Sequence, residues 1–207
     1  MREIAKALGR TVATVLVLPA LASYALRSRV FGADRALEGS SQALALLPGI
    51  AGDYLRRAFL TRALARCAPT ATIQYGTLFS QAGARIADRA YVGPRCHLGL
   101  VSLEKDVLLA AGVHIPSGAA THGIDLARPI REQPATRTLV TIGEGTWVGS
   151  AAVVMADVGR HCVIGAGAVV TNAIPDFSVA AGVPARVLFD RRQPERPASA
   201  GQRPRAG

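Results

Sequence analysis

Aromatic side chains are scarce in this chain: one Trp, four Tyr and five Phe among 207 residues, 5% in all. A core made without them must be filled by aliphatic side chains, and half of the sequence is hydrophobic. Cysteine is equally sparse. Cys67, Cys96 and Cys162 form neither an even disulfide framework nor a metal-binding spacing. They read as small buried hydrophobes, which suits a reducing compartment. No apolar run reaches the roughly 20 residues that a membrane-spanning helix needs. The longest, Val12 to Leu26, holds about fifteen. Acidic residues are few as well: 14 Asp and Glu against 24 Lys and Arg leave a formal net charge of +10. The cations are not interleaved with aromatics and carry no nucleic-acid-binding motif, which argues against a nucleic-acid partner.

What the chain does have is a repeat of six. It runs through Ile86–Tyr91, Val92–His97, Leu103–Leu108 and Leu109–His114. After a gap it resumes at Ile142–Trp147, Val148–Val153, Val158–Val163 and Ile164–Val169. Position one is always Ile, Val or Leu, position two is mostly Gly or Ala, and position five is small or β-branched. A six-residue unit is one short strand and a corner, and three units close a coil of about eighteen residues. The position-one aliphatic fills the interior, the small fifth residue fits near the corner, and Gly at position two lets backbones approach. The expected fold is therefore an all-β parallel β-helix of roughly five or six coils, preceded by a helical, apolar and basic segment. The boundaries read as 1–68 for the N-terminal segment, 69–189 for the solenoid with a loop excursion at about 119–141, and 190–207 for a disordered tail rich in Arg, Pro, Ala and Gly.

Register alone places two histidines. His97 and His114 both end a hexad, so both point outward, one rung apart on the same face. The N-terminal segment leaves several readings open. Its flanking arginines and apolar stretches suit helices lying on an anionic membrane surface. Arg2, Lys6 and Arg10 ahead of Ala20-Leu21-Ala22 also fit a secretory signal. A strained membrane span and a cap over the open end of the solenoid fit too.

The stretches Ser117–Asp125, Thr146–Ser150, Ile164–Thr171 and Val179–Arg186 resemble the hexapeptide-repeat acyltransferases, in particular the galactoside, maltose, antibiotic and surface-polysaccharide O-acetyltransferases. The resemblance covers about residues 73–188. It implies a left-handed coil, acetyl-CoA as acyl donor, a sugar or glycan hydroxyl as acceptor, a homotrimer and a cytoplasmic location. It implies His122 as general base, a role that an imidazole with a pKa near 6.5 suits. It implies contact with coenzyme A at Trp147, Ser150, Ala166, Thr171, Gly182, Pro184 and Arg186, with Arg186 facing a phosphate. His97, His114 and Asp125 become candidates for acceptor binding. Two departures stand out: the family commonly has Asn near the position of His97, and Lys where this chain has Asn172. No metal ligand set is expected. Two other readings compete: a γ-carbonic-anhydrase-like zinc hydrolyase drawing on His97, His114 and His122 across a subunit boundary, and a non-catalytic solenoid scaffold at the membrane surface.

Overall fold

A computed structural model describes residues 2–193, with side chains from residue 7 onward. Of the tail expected to be disordered, residues 194–207 lie outside the described residues. Four helices come first: α1 (Arg2–Leu16), α2 (Leu18–Phe31), α3 (Ala33–Ala45) and α4 (Gly49–Ala63). A parallel β-solenoid of about six turns follows, beginning at Arg66 and matching the left-handed β-helix fold.

The strands form three faces. The first face stacks Arg66–Cys67, Arg85–Ile86, Val101–Leu103 and Val140–Ile142. The second runs from Thr72–Ile73 through Tyr91–Val92, Leu108–Leu109, Trp147–Val148 and Val163–Ile164 to Ser178–Ala181. The third holds Leu78–Phe79, His97–Leu98, His114–Ile115, Val153–Val154 and Val169–Val170. Position one of every hexad is buried, from Ile86 at 0% exposure to Val158 at 2%. Position five is buried in every unit as well. The three cysteines are free and packed inside, and desolvation pushes the thiols of Cys67 and Cys96 up to about 11.

Two backbone devices turn the corners. Gly at position two has the next coil against it: a Cβ on Gly149 would lie 2.5 Å from the Ala166 nitrogen, and one on Gly93 2.7 Å from the Ala110 carbonyl carbon. Position four takes a left-handed conformation throughout, at Arg89, Arg95, Asp106, Ala151 and His161 as well as Gly112, Gly145 and Gly167. Left-handed backbone costs an ordinary residue about 1–2 kcal/mol, so the stacked coils must hold these corners in place.

The ends of the rod are closed differently. The free edge of the first coil is satisfied by the helices: Phe79 N donates to Ser41 Oγ (2.8 Å), Ala82 N to Asp34 Oδ1 (2.9 Å) and Gly76 N to Ala45 O (3.0 Å). Arg56 and Arg57 donate to the carbonyls of Ile73 and Ala71. Arg56 is 1% exposed, and its charge is balanced by Asp53 and by the carbonyls of Leu44 and Leu47. The helices thus cap the solenoid and remove an unpaired edge. At the far end the strand Arg186–Asp190 turns back antiparallel on Ser178–Ala181. Asp190 therefore still belongs to a strand, and Arg191 N bonds Phe177 O.

Candidate active site

The third face carries an outward column of Leu78, His97, His114, Val153 and Val169. At its upper end α3 stands over the two histidines and makes a cleft of about 550 Å³. Asp34, Arg35 and Glu38 come from α3, His97 and His114 form the floor, and Thr121 and Arg137 come from the two arms of the excursion. The histidines pair directly across one rung, as their hexad positions predict. Their rings stack at 4.7 Å between centroids with 24° between planes. Desolvation in the cleft, followed by the neighbouring His114, lowers the His97 pKa from the ordinary imidazole value, and Glu38 opposes the shift. The shift favours the neutral form of the His97 imidazole, whose unprotonated nitrogen can accept a hydrogen bond.

His122 is exposed at the rim of this cleft, one residue beyond Thr121, and does not line it. Its loop is ordered around Gln133, which is buried. The Gln133 amide donates to Asp125 O (2.7 Å) and Arg128 O (2.8 Å) and accepts from Asp125 N (2.9 Å). Gly123 lies so close to Gln133 that a Cβ would collide with its Oε1, so the position after His122 leaves no room for a side chain unless Gln133 moves. The Asp125 carboxylate accepts from Ala127 N (2.9 Å) in a local turn.

Below the cleft the same face becomes a shallow strip floored by Val153 and Val169. One bordering corner is a ladder of small residues: Ser150 and Ala151, Ala166 and Gly167, then Gly182. Its rungs are tied by Gly167 N to Ser150 O (2.8 Å) and Val169 N to Gly182 O (3.0 Å). Thr171 is exposed at the opposite border; below the last rung Ala185 N, next to Pro184, bonds Val169 O, and Arg186 pairs with Ala181 on the second face. Ser150, Ala166, Thr171 and Gly182, four of the residues assigned to coenzyme A from sequence, thus border one face. A strip without bulky side chains lets an extended chain lie close to the backbone.

Trp147, like Arg186, is set apart from them. It lies on the second face, in an outward column with Tyr91 and Leu108, and a single prism holds it away from the strip. Farther along the chain, Arg191 donates to His161 O, while Arg192 pairs with Asp190 and lies over the Phe177 ring. Among the described residues no group of three or more His, Cys, Asp or Glu side chains converges to hold a metal ion.

Sequence reading missed the α3 wall. Asp34 and Glu38 are four residues apart and so share a helix face, a pattern that was visible, but their position over His97 depends on how the cap docks. Arg137 was visible only as part of the excursion.

The family model described as hexapeptide repeat of succinyl-transferase matches residues 139–172. A protein of Mycobacterium tuberculosis named as an acetyltransferase is 44% identical over 81 residues, covering 38% of this chain and 27% of that protein. WbbJ of Escherichia coli K12, named as a lipopolysaccharide-biosynthesis O-acetyl transferase, is 30% identical over 122 residues, covering 55% of this chain and 60% of that one. The chain spans less than two thirds of the length of either curated relative. Among solved structures, a maltose O-acetyltransferase from Clostridium difficile 630 superposes with a TM-score of 0.66 at 20% identity, covering 77% of this chain and 89% of that one. A galactoside acetyltransferase in complex with coenzyme A gives 0.60 at 23% identity, covering 76% and 80%. At those identities the structural likeness is one of fold. The solenoid is a hexapeptide-repeat left-handed β-helix, similar in sequence to acetyltransferases and in fold to sugar O-acetyltransferases.

Proposed function

We propose that this chain is an acetyl-CoA-dependent O-acetyltransferase acting on a sugar hydroxyl, in a surface-polysaccharide or lipid-linked glycan precursor. The observation that carries the reading is the single face on which the polar cleft, with its two imidazoles and two carboxylates, runs into the strip of small residues. Hydroxyl-rich ligands suit the first and an extended pantetheine arm suits the second. The sugar acetyltransferases it is similar to support the same activity.

In this reading His122 is the general base. Its imidazole takes the acceptor's hydroxyl proton as that oxygen attacks the thioester carbonyl. The carbon–sulfur bond then breaks, and the proton passes to the departing thiolate. A positioned base of this kind contributes about 10²–10⁴-fold. Gln133 holds the loop that carries it. Asp34, Glu38, His97 and His114 orient the acceptor through its hydroxyls. Arg186 meets a phosphate of the nucleotide end. A threefold assembly would bring the Tyr91–Leu108–Trp147 column of one subunit against the strip of the next, which gives Trp147 access to the thioester arm. Because the donor is a cytoplasmic metabolite, the reaction belongs in the cytoplasm.

The test is His122→Ala assayed with labelled acetyl-CoA and a panel of glycan precursors. Acetyl transfer should fall by about 10²-fold or more, with coenzyme A affinity by calorimetry unchanged. Full turnover in that variant removes His122 from the mechanism, and no saturable coenzyme A binding by the wild-type chain removes the whole reading.

A further inference from the structure

The helical cap is apolar on the wrong side for a surface that meets only water. Along α1 and α2, Leu8, Val12, Val15, Pro19, Ala22, Leu26 and Val30 follow one another at steps of three and four residues, and all are exposed. On each helix that spacing makes a stripe along one face. Leu8 is 64% exposed, Val15 59%, and Leu26 and Val30 66% each. The opposite side of the same helices is the one that packs inward, through Ala13, Val17, Ala20, Leu21 and Tyr24.

No single described helix is long and apolar enough to cross a bilayer, and although α1 and α2 pass that test as a pair, they are bent by 48°. They are also fastened to the cap. Tyr24 Oη donates to Ala63 O (3.2 Å), and its ring meets Phe59 edge-on at 5.6 Å. Arg27 donates to Ser40 Oγ (2.7 Å) and Ala36 O (3.3 Å). Crossing a bilayer would break all of these and carry Arg27 into hydrocarbon.

Charge identifies the partner. Residues 1–32 contain five cations (Arg2, Lys6, Arg10, Arg27 and Arg29) and one anion, Glu3. Two copies of this face brought together would oppose like charges, whereas an anionic surface neutralises them. We propose that α1 and α2 lie in the plane of an anionic membrane surface, with the Leu8-to-Val30 stripe sunk among the acyl chains, the exposed Arg29 beside the headgroups and the net positive charge of the segment favouring an anionic surface. Apolar helix faces bound this way sink about 5–10 Å into the boundary, and each basic residue near the surface contributes about 1 kcal/mol. The cap would then hold the solenoid beside the lipid, and a lipid-linked acceptor would meet the cleft without leaving the membrane.

The experiment is co-sedimentation of the full chain with phosphatidylcholine vesicles, with and without phosphatidylglycerol. The wild type should pellet with the phosphatidylglycerol vesicles and be released by salt. Leu26→Glu with Val30→Glu should lower that partition by about tenfold or more. Arg29→Glu, which leaves the stripe intact, should lower it by about fivefold. None of these residues lines the cleft, so thermal unfolding and acetyl-CoA binding should be unchanged. Equal binding to both vesicle types, or no loss in the double variant, overturns the proposal. So does a lipid-free oligomer that the double variant disperses, since the stripe would then be covered by another copy. Vesicle binding needs no turnover, so it can fail while the acetyl-transfer reading stands, and the reverse.

Discussion

The second and third faces of the solenoid come from the same repeat and end up with opposite properties. On both, position six of the hexad points outward. On the third face the residues so exposed include His97 and His114, and α3 and the excursion stand over them. On the second they are Tyr91, Leu108 and Trp147, which stay 37%, 42% and 50% exposed with no wall above them. The repeat thus sets the direction of a side chain, while its chemical environment depends on what is packed against that face. Walls and desolvation turn two histidines into a polar site and lower the pKa of His97. The same outward position without walls yields an apolar column suited to packing against another surface.

The comparison can be broken most severely at the corner between the two faces. Gly149→Val would drive a side chain into the Ala166 backbone, and stability should drop by about 3 kcal/mol or more in denaturant unfolding. A soluble variant with unchanged midpoint would mean that the coils can part there.

A smaller effect distinguishes the faces from each other. His97→Ala should lower kcat/KM for the acceptor about tenfold by removing a hydrogen-bonding group, with KM for acetyl-CoA unchanged. Trp147→Ala should raise KM for acetyl-CoA by about 2–10-fold through lost aromatic contact, with the acceptor KM unchanged. If both variants move the same parameter, the division of labour between the faces is wrong.

The smallest effect is a dependence of stability on pH. Because His97 has a lower pKa folded than unfolded, the folded state resists its protonation. The stability linked to this group is present above its unfolded value of about 6.5 and is lost as pH falls through the lower folded value. Melting temperature should therefore decline on acidification from about pH 7 to about pH 5, and the decline should be shallower in His97→Asn. Identical profiles for the two proteins would show that the cleft does not perturb this imidazole.

Much of the fold could be read from the chain because the hexad is a local rule. Ile86, Val92 and their successors had to face inward, and the glycines at position two had to admit a neighbouring backbone. The left-handed corners were not legible. Position four is filled by Arg89, Asp106, Ala151 and His161 as readily as by Gly112, so residue type carried no signal, and the conformation is imposed by stacking. Sequence placed His97 and His114 together through their register, and named Ser150, Ala166, Thr171 and Gly182 through the resemblance. It could not place Trp147 relative to them, because which face a hexad occupies depends on counting every coil and interruption before it.

By itself, then, the sequence determined what lies inside and outside each coil, since six residues suffice to build a strand and a corner. Only the tertiary structure decided which outward residues became a site. The wall over His97 comes from Asp34 and Glu38, about sixty residues earlier in the chain, and the loop bearing His122 is held by Gln133. Such contacts depend on how a helical cap and an excursion dock on the rod, and docking is governed by complementary surfaces rather than by any periodicity a single strand of sequence can carry.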